Sequence, residues 1–360
     1  MTVTAVRMAH LDRVRVLLTV LVVLHHVALT YGSFPLWYHH EPDGSGWGRL
    51  LDLLMLLNQT FAMGLFFLIS GYFLPGAVER RGRWRVLGDR AVRLGVPLLL
   101  IVFVVVPLAK LPGYLRAPQG GYLDFYLREL EQGPGWFLAA LLLFTAAYVL
   151  LHRPPGERPG SPLRARTLIG FALALVVLGV AWRVAQPLDR VPLVQFPVPA
   201  YLPQYVGMFA AGVLAWRQGW LTEWPARAAG WGFGAAAVAV VALVPLTLDG
   251  SLLARVAHGI FDGVYGVGMS VGVLALFAHR FAGPPTALGR FLAANAYTVY
   301  VLHAVVLVAV SVALSGLDVG PLAKFVLVGA VSVPLCWALA ALVRGLGTTA
   351  RAAVGRGVRR

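Results

Sequence analysis

Charge and cysteine are both scarce in this chain of 360 residues. Only 12% of the residues are charged, whereas 59% are hydrophobic and the mean hydropathy is +0.77, which excludes a soluble domain of this size. The single cysteine, Cys336, sits among apolar residues, so disulfide bonds and thiolate metal sites are excluded. Gly-rich phosphate loops of the Walker or dinucleotide type are absent as well. The composition therefore predicts a polytopic membrane protein.

Apolar runs long enough to cross a bilayer recur along the whole sequence. We place ten of them, near residues 11–31, 51–75, 94–111, 135–152, 167–185, 200–216, 230–246, 259–278, 291–314 and 321–343. The predicted fold class is all-α, a bundle of about ten membrane-spanning helices with no soluble domain. We expect the bundle to occupy residues 1–346 and to be followed by a basic cytoplasmic tail, residues 347–360. Because the first run has span length and no signal-peptide cleavage pattern follows it, we expect it to be retained.

Basic residues outnumber acidic residues by 30 to 15, a formal net charge of +15. They cluster in short loops beside the apolar runs, which fits membrane topology and lipid contacts better than nucleic-acid binding. With the N-terminus in the cytoplasm, 22 of the 30 fall on the inner side, as the positive-inside rule requires. We therefore expect a multi-pass protein of the cell membrane with both termini in the cytoplasm, membrane lipids as partners and no nucleic-acid partner.

The first run carries two residues that are costly inside a span, Arg15 and His26. Ionisable groups there cost about 2.5–3.5 kcal/mol on insertion scales, so they usually face a protein interior or an aqueous path. Eleven residues of helix place the two within about 20° on one face and about 16 Å apart along the axis. The adjacent His25 is rotated by about 100°, so the helical phase favours His26 as the partner of Arg15 on this face.

A neutral imidazole inside a span can take a proton from a hydroxyl, which is the chemistry of a general base. We therefore interpret His26, with Arg15, as a candidate catalytic pair. The alternative is that His25 and His26 only form hydrogen bonds to neighbouring helices.

A second candidate site follows the second run. Arg90 and Arg93 are one helical turn apart and present two guanidinium groups from one face, which suits a ligand that carries phosphate. Ser70 and Gly71, which we expect in a turn at the end of the second helix, would add a hydroxyl and close access to the backbone. Alternatively, arginines in this region determine topology and contact anionic lipids.

The ninth run contains Tyr300 and His303, and His303 is expected near the membrane midplane. Two spans with central histidines suggest a shared polar chamber. The alternative is a pair of hydrogen bonds between helices.

The eighth predicted helix carries a polar stripe, His258, Asp262 and Tyr265, spaced i, i+4 and i+7 among several glycines. The glycines would allow close packing against a neighbouring helix while the stripe faces inward and receives a polar acceptor. A salt bridge or cap at the helix end explains the stripe equally well.

Four motifs together resemble the acyltransferase-3 family of integral membrane acyltransferases, in order over most of the chain. They are Leu11-Asp12-Arg13-Val14-Arg15 followed by His25-His26, Phe67-Leu68-Ile69-Ser70-Gly71-Tyr72 with Arg90-x-x-Arg93 and Pro97, Trp136-Phe137-Leu138, and Asn295-Ala296-Tyr297-Thr298-Val299-Tyr300-Val301-Leu302-His303. The His25-His26 pair and Tyr31-Gly32 look most like the branch that includes glucan-modifying membrane succinyltransferases.

The resemblance implies that residues 1–346 form one transmembrane acyltransferase domain. Its donor would be acyl-CoA, such as acetyl-CoA or succinyl-CoA, taken from the cytoplasmic side, and no metal would be needed. The acceptor would be a hydroxyl of a glycan, a glycolipid or a glycosylated metabolite. An O-acetylation of glycans at the cell inner membrane is one such reaction.

The resemblance also implies roles for the candidate residues. Arg15 and His26 match the family's arginine and histidine separated by ten residues, and Arg90 and Arg93 match its basic pair. The acyl-CoA phosphates would then lie near that pair and near Ser70 and Gly71. The acceptor-binding candidates are His303, Tyr300, Asp262 and His258.

A proton-coupled transporter or flippase of a polar solute is the alternative from another functional class. In that case the same histidines and Asp262 would relay protons or bind the solute. No inverted repeats are visible in the sequence. The arginine-rich cytoplasmic turn after the second run has a clearer function in an acyltransferase than in a transporter. A non-catalytic membrane scaffold is the third interpretation.

Overall fold

The computed structural model describes residues 9–41, 46–118, 120–151, 160–185 and 199–357. Twelve α-helices cover most of these residues: α1 (Ala9–Tyr31), α2 (Gly48–Arg81), α3 (Arg83–Leu100), α4 (Val106–Arg116), α5 (Tyr122–Arg128), α6 (Trp136–Leu151), α7 (Ala165–Ala185), α8 (Leu202–Gln218), α9 (Ala228–Leu243), α10 (Leu252–Arg280), α11 (Ala287–Ala313) and α12 (Pro321–Gly357). A π-helical segment, Ile101–Val105, joins α3 to α4, and short 3-10 turns occupy Gly133–Gly135, Pro199–Tyr201 and Val244–Thr247. The described residues contain no strand.

Nine helical segments in the described part of the chain are long and apolar enough to cross a membrane. Two of them join neighbouring helices, Arg83–Arg116 through the π-helical segment and Tyr122–Leu151 through a 3-10 turn. The remaining predicted span corresponds to α8, which has only 17 residues. The prediction of an all-α polytopic bundle is confirmed. Helix α12 continues past residue 346 to Gly357, so the backbone of the predicted tail is helical up to that residue.

The expected turn at Ser70 and Gly71 is wrong. Helix α2 continues through both residues, and through Pro75, to Arg81. The chain breaks instead at Gly82, whose φ of 83° is readily adopted only by glycine. The helix continues beyond the apolar run, because arginine is a good helix former although it is polar.

The chain forms two compact units. Unit 1 comprises the described residues within Met1–Val14, Gln59–Leu98 and Gly135–Pro284, and unit 2 comprises those within Arg15–Asn58, Leu99–Pro134 and Pro285–Arg360.

Helix α10 is the centre of packing in unit 1, where it lies along α7 and α9. Added Cβ atoms at Gly259 and Gly263 would fall within 3.0 Å of the α7 backbone at Val180 and Val176. Small residues let helix backbones approach in this way where water provides no driving force for association. The predicted close packing of the glycine-rich helix is therefore confirmed.

In unit 2, α11 packs along α12 and also contacts α4. Its apolar core includes Val299 and Leu307 of α11 together with Val27 of α1 and Trp337 of α12. Cys336 is buried in this same core as a free thiol. The only cysteine thus packs as a small apolar side chain.

The segment after α1, residues 32–41, folds back over the end of that helix. The backbone N–H of Glu41 donates to the carbonyl of Thr30 at 2.9 Å. The backbone N–H of Ser33 donates to Asp52 Oδ1 of α2 at 2.9 Å. The Glu41 carboxylate forms an ion pair with Lys324 of α12. These contacts fix a segment without regular structure against three helices of unit 2.

The Glu41 carboxyl makes the stability of this segment depend on pH. Burial alone would raise its pKa, but hydrogen bonds from Lys324 and His39 outweigh burial and lower the pKa below the ordinary 4.5. A carboxyl with a lowered pKa stabilises the folded state above its unfolded-state pKa, and this stabilisation is lost as the pH falls through the folded value.

We therefore expect Glu41→Gln to lower the free energy of unfolding near neutral pH by up to about 3 kcal/mol. The difference from wild type should shrink as the pH falls below about 4.5, since the wild-type carboxyl is then protonated too. Circular-dichroism melts of detergent-purified protein measure both effects, with Glu223→Gln at an exposed position as the control. A difference that is the same at neutral and acidic pH would contradict this account.

Candidate active site

His26 lies on α1, and its own helix fixes its imidazole. Nδ1 is 2.8 Å from the carbonyl oxygen of Val22, one turn earlier. Because a carbonyl can only accept a hydrogen bond, Nδ1 carries the proton and Nε2 of the neutral ring carries the lone pair. The side chain is only partly buried. Nε2 is therefore the nitrogen that can take a proton from a bound group.

His303 on α11 repeats this arrangement beside it. Its Nδ1 is 2.7 Å from the carbonyl oxygen of Tyr300, so its lone pair is also on Nε2. The side chain is fully buried, and Nε2 has no hydrogen-bond partner among the described residues. The ring centroids of His303 and His26 are 4.8 Å apart. The structure thus brings the two predicted central histidines together in unit 2.

Trp37 is a third member of this group, and it is not among the residues predicted from the sequence. Its ring centroid lies 4.2 Å from that of His26 and 6.4 Å from that of His303. Its indole Nε1 is buried and has no hydrogen-bond partner among the described residues. Trp37 reaches the histidines because the segment 32–41 folds back over α1. A loop residue has no helical periodicity, so only its aromatic character in a short loop could have drawn attention to it.

The polar groups of this cluster can bind a hydroxyl. Two imidazole Nε2 atoms can accept a hydrogen bond, and the indole N–H of Trp37 can donate one. A hydroxyl has one donor and two acceptor lone pairs, so it can donate to one Nε2 and accept from the indole, which leaves the other Nε2 for a second hydroxyl. No group of three or more potential metal ligands occurs among the residues that the structure describes. The cluster His26–His303–Trp37, called the histidine cluster below, is thus suited to binding and deprotonating a hydroxyl.

Arg15 lies on the same helix as His26 and is also partly buried. Because α1 is continuous, their separation along the axis is about 16 Å. Between them, the hydroxyl of Thr19 donates to the carbonyl of Arg15 at 2.8 Å, and Val22 accepts the hydrogen bond of His26. The predicted shared face is therefore present, with the two functional candidates at different levels of α1.

Tyr300 and His25 border the histidine cluster in different ways. The hydroxyl of Tyr300 donates to the carbonyl of Pro134, so its one O–H donor is committed to the turn that precedes α6. Its backbone carbonyl accepts the hydrogen bond from Nδ1 of His303. The ring of His25 lies 5.4 Å from that of His26, and its buried Nδ1 has no hydrogen-bond partner within the described ranges.

The basic pair lies on α3 in unit 1. Arg90 is partly buried, and its Nη1 donates to the hydroxyl of Thr145 on α6 at 3.5 Å. Arg93, one turn further on, is exposed. The predicted helical spacing of the two guanidinium groups is present, because α3 is regular over both residues.

Gly71 has a packing role that the sequence did not indicate. A Cβ atom at this position would overlap the carbonyl oxygen of Phe209 on α8. Because Gly71 has no side chain, the backbone of α8 packs closely against it within unit 1. Ser70 beside it is partly exposed.

The polar stripe on α10 is engaged in an ion pair. Asp262 Oδ2 accepts a hydrogen bond from Arg183 Nε of α7 at 2.6 Å, and both side chains are buried. The Arg183 guanidinium also lies 4.9 Å from the ring centroid of Tyr201. His258, one turn before Asp262, is partly buried, and its Nδ1 is hydrogen-bonded to the carbonyl of Ala254. Asp262 therefore forms a salt bridge, which is the alternative interpretation of the stripe. Its partner Arg183 was not identified from the sequence.

Comparison with known proteins identifies the type of domain. A family model described as "Acyltransferase domain", of the acyltransferase-3 type, matches residues 8–341. Similar curated proteins include Glucans biosynthesis protein C of Escherichia coli K12 and of Escherichia coli O1:K1 / APEC. Each is 26% identical over an alignment of 206 residues that covers 51% of this chain and 49% of the relative. The chain spans about half the length of the curated relatives that it matches. No solved structure was found to match it.

The buried ion pair predicts a stability effect that separates a structural from an acceptor-binding role of Asp262. Asp262→Asn leaves the charge of Arg183 uncompensated in an apolar interior, which typically costs about 3–5 kcal/mol. We expect a lower thermal midpoint in detergent. The double variant Arg183→Met/Asp262→Leu removes both charges and should recover most of the stability. Unchanged stability of Asp262→Asn together with a raised KM for the acceptor would instead support acceptor binding.

Proposed function

This chain belongs to the acyltransferase-3 family, and we propose that it transfers an acyl group from acyl-CoA to a hydroxyl of a glycan or a similar acceptor. The observation that carries the proposal is His26, whose Nε2 lone pair adjoins a second imidazole and an indole in unit 2. The relatives named Glucans biosynthesis protein C support a glucan-like acceptor. The positive-inside distribution of arginines supports a cell inner membrane location with both termini in the cytoplasm.

The proposed reaction uses His26 as the general base. Its Nε2 takes the proton of the acceptor hydroxyl while the hydroxyl oxygen attacks the thioester carbonyl carbon. The carbon–sulfur bond then breaks, and the CoA thiolate receives the proton from the imidazolium, so the products are the ester and free CoA. The carbonyl of Val22 keeps the ring in the required orientation throughout, since it holds Nδ1–H.

Trp37 and His303 complete the acceptor side of this proposal. The indole N–H of Trp37 supplies a donor for the acceptor oxygen or for the oxyanion that develops in the transition state. Nε2 of His303 accepts a hydrogen bond from a second hydroxyl of the acceptor. Tyr300 positions His303 through its carbonyl and does not itself donate to the acceptor.

The donor side rests on the arginines. We assign the acyl-CoA phosphates to Arg90 and Arg93, because guanidinium forks form strong charge-assisted hydrogen bonds with phosphate oxygens. Ser70 is proposed to contribute a hydroxyl there, whereas Gly71 contributes through helix packing. Arg15, on the cytoplasmic half of α1 in this orientation, is proposed to hold the donor at the level below His26.

The His26 assignment is tested in liposomes with radiolabelled acetyl-CoA and a neutral glucose oligosaccharide. We expect free CoA to be released only when the oligosaccharide is present, and His26→Gln to lower kcat by about 10²–10⁴-fold, the usual contribution of a general base. His279→Gln, at an exposed histidine, is the matched control and should retain wild-type activity.

Two outcomes would overturn this assignment. A folded His26→Gln protein that transfers at the wild-type rate excludes His26 as the base. Movement of the oligosaccharide across the liposome membrane without consumption of acetyl-CoA would favour a transporter instead.

The donor assignment predicts a specific change in KM. Arg93→Ala should raise the KM for acetyl-CoA about tenfold or more, as expected for the loss of a charge-assisted hydrogen bond. The rate at saturating acetyl-CoA should change little. Arg85→Ala removes another exposed arginine of α3 and controls for topology and lipid contacts. Equal KM values for the two variants would contradict a phosphate-binding role of Arg93.

A further inference from the structure

An open cleft of about 400 Å³ lies in unit 2 and is not part of the sequence-based site. The folded-back segment forms one wall with Trp37 and Tyr38, and α4 contributes Lys110 and Tyr114. Residues that follow α5, Glu129 and Glu131, complete the polar part of the wall. The volume falls within the range of about 300–1,000 Å³ for small-molecule sites.

The cleft and the histidine cluster share one side chain, Trp37. Trp37 lines the cleft, and its ring lies 4.2 Å from that of His26. A ligand that packs on the cleft side of Trp37 is therefore separated from the proposed base by one indole ring. This position is the one expected for the part of an acceptor that adjoins the reacting hydroxyl.

The aromatic side chains of the cleft pack in pairs. The ring of Tyr38 lies 4.5 Å from that of Trp37, and Lys110 Nζ lies 5.5 Å from the Tyr38 ring centroid. Burial, followed by the charge of Glu131 and a hydrogen bond to it, raises the pKa of the Tyr38 phenol, so the phenol stays protonated and donates to that carboxylate. Tyr114, which also lines the cleft, stacks on Phe125 with ring centroids 4.6 Å apart.

Gly133 shows that the position of Tyr38 is closely constrained. The Tyr38 hydroxyl occupies the space that a Cβ atom of Gly133 would need, and Gly133 has a φ of 42°. Both the contact and the backbone conformation favour glycine here.

The charged groups of the cleft select against anions. Lys110 Nζ lies 2.7 Å from a Glu129 oxygen and 3.0 Å from a Glu131 oxygen, so two carboxylates share one ammonium group. The two carboxylates remain 38% and 36% exposed, whereas Lys110 is 18% exposed. The surplus negative charge disfavours the phosphates of acyl-CoA, while the accessible carboxylate oxygens can accept hydrogen bonds from hydroxyls.

We propose that this cleft binds a neutral sugar residue of the acceptor, held between the aromatic faces and the carboxylates of Glu129 and Glu131. The apolar C–H faces of the sugar pack on Trp37 and Tyr114, and its hydroxyls donate to the two carboxylates. This assignment rests on the proposed transfer to a glycan hydroxyl and adds the binding site for that glycan. It also assigns a function to Lys110, Glu129 and Glu131, which take no part in the proposed acyl-transfer step.

Direct binding tests the cleft without requiring catalysis. A neutral glucose oligosaccharide is titrated into the full-length protein in detergent by isothermal calorimetry, without acyl-CoA. We expect saturable binding to wild type and to His26→Gln, and at least tenfold weaker binding to Tyr114→Ala. Leu123→Ala, an exposed residue of α5, is the control and should bind like wild type.

A second variant covers the case in which Tyr114→Ala fails to fold. Glu129→Gln keeps the shape of the side chain and removes one negative charge. We expect it to weaken binding of the neutral oligosaccharide several-fold and to improve binding of an oligosaccharide of glucuronic acid relative to wild type. A change of charge selectivity of this kind would not follow from a merely structural role.

The outcomes distinguish this inference from the proposed function. Absent binding to wild type, or equal binding to wild type and both cleft variants, overturns the sugar site whatever the transfer assay shows. Binding that is lost in the cleft variants supports the site even if CoA release in liposomes fails to occur, a result that would count only against the transfer reaction.

Discussion

A polar side chain inside an apolar helix finds its nearest hydrogen-bond partner in the carbonyls of its own backbone, and the two central histidines are organised by this constraint. In water either imidazole nitrogen could be solvated, but here Nδ1 of His26 and Nδ1 of His303 each face a carbonyl of the preceding turn. Each bond settles which nitrogen carries the proton. The proton-accepting nitrogens are therefore directed away from the helices that carry them, and the proposed chemistry follows from that orientation.

The histidines alone would leave the site without a donor. Trp37 supplies one because a segment without regular structure is held across the end of α1 by Asp52, Glu41 and Lys324. The same segment lines the cleft together with Tyr114. One folded-back loop thus connects the proposed reacting groups with the proposed acceptor site, and its anchoring ion pair matters for both.

In unit 1, buried charged side chains pair with each other. Arg183 and Asp262 form a buried ion pair, and the glycines of α10 admit the backbone of α7. A buried carboxylate with its counter-ion at 2.6 Å has its strongest interaction already in place, which fits support of the helix packing. His303 Nε2 is buried without a hydrogen-bond partner in the described residues, but so are Asp262 Oδ1 and Arg183 Nη2. What distinguishes His303 is its position, because its ring lies beside those of His26 and Trp37.

Hydropathy and helical phase sufficed to predict the all-α bundle, the close packing of α10 and the face shared by Arg15 and His26. These features can be predicted because the length of a span and the 3.6-residue helical period are both visible in a short stretch of sequence. They did not predict that α2 continues through Ser70 and Gly71, since a helix can outlast its apolar run. Only the tertiary structure decided that Trp37 adjoins His26, that Arg183 pairs with Asp262 and that a cleft lies beside Lys110. Those neighbours come from distant parts of the chain or from loops, where contacts depend on how helices pack and leave no periodic signal in the sequence.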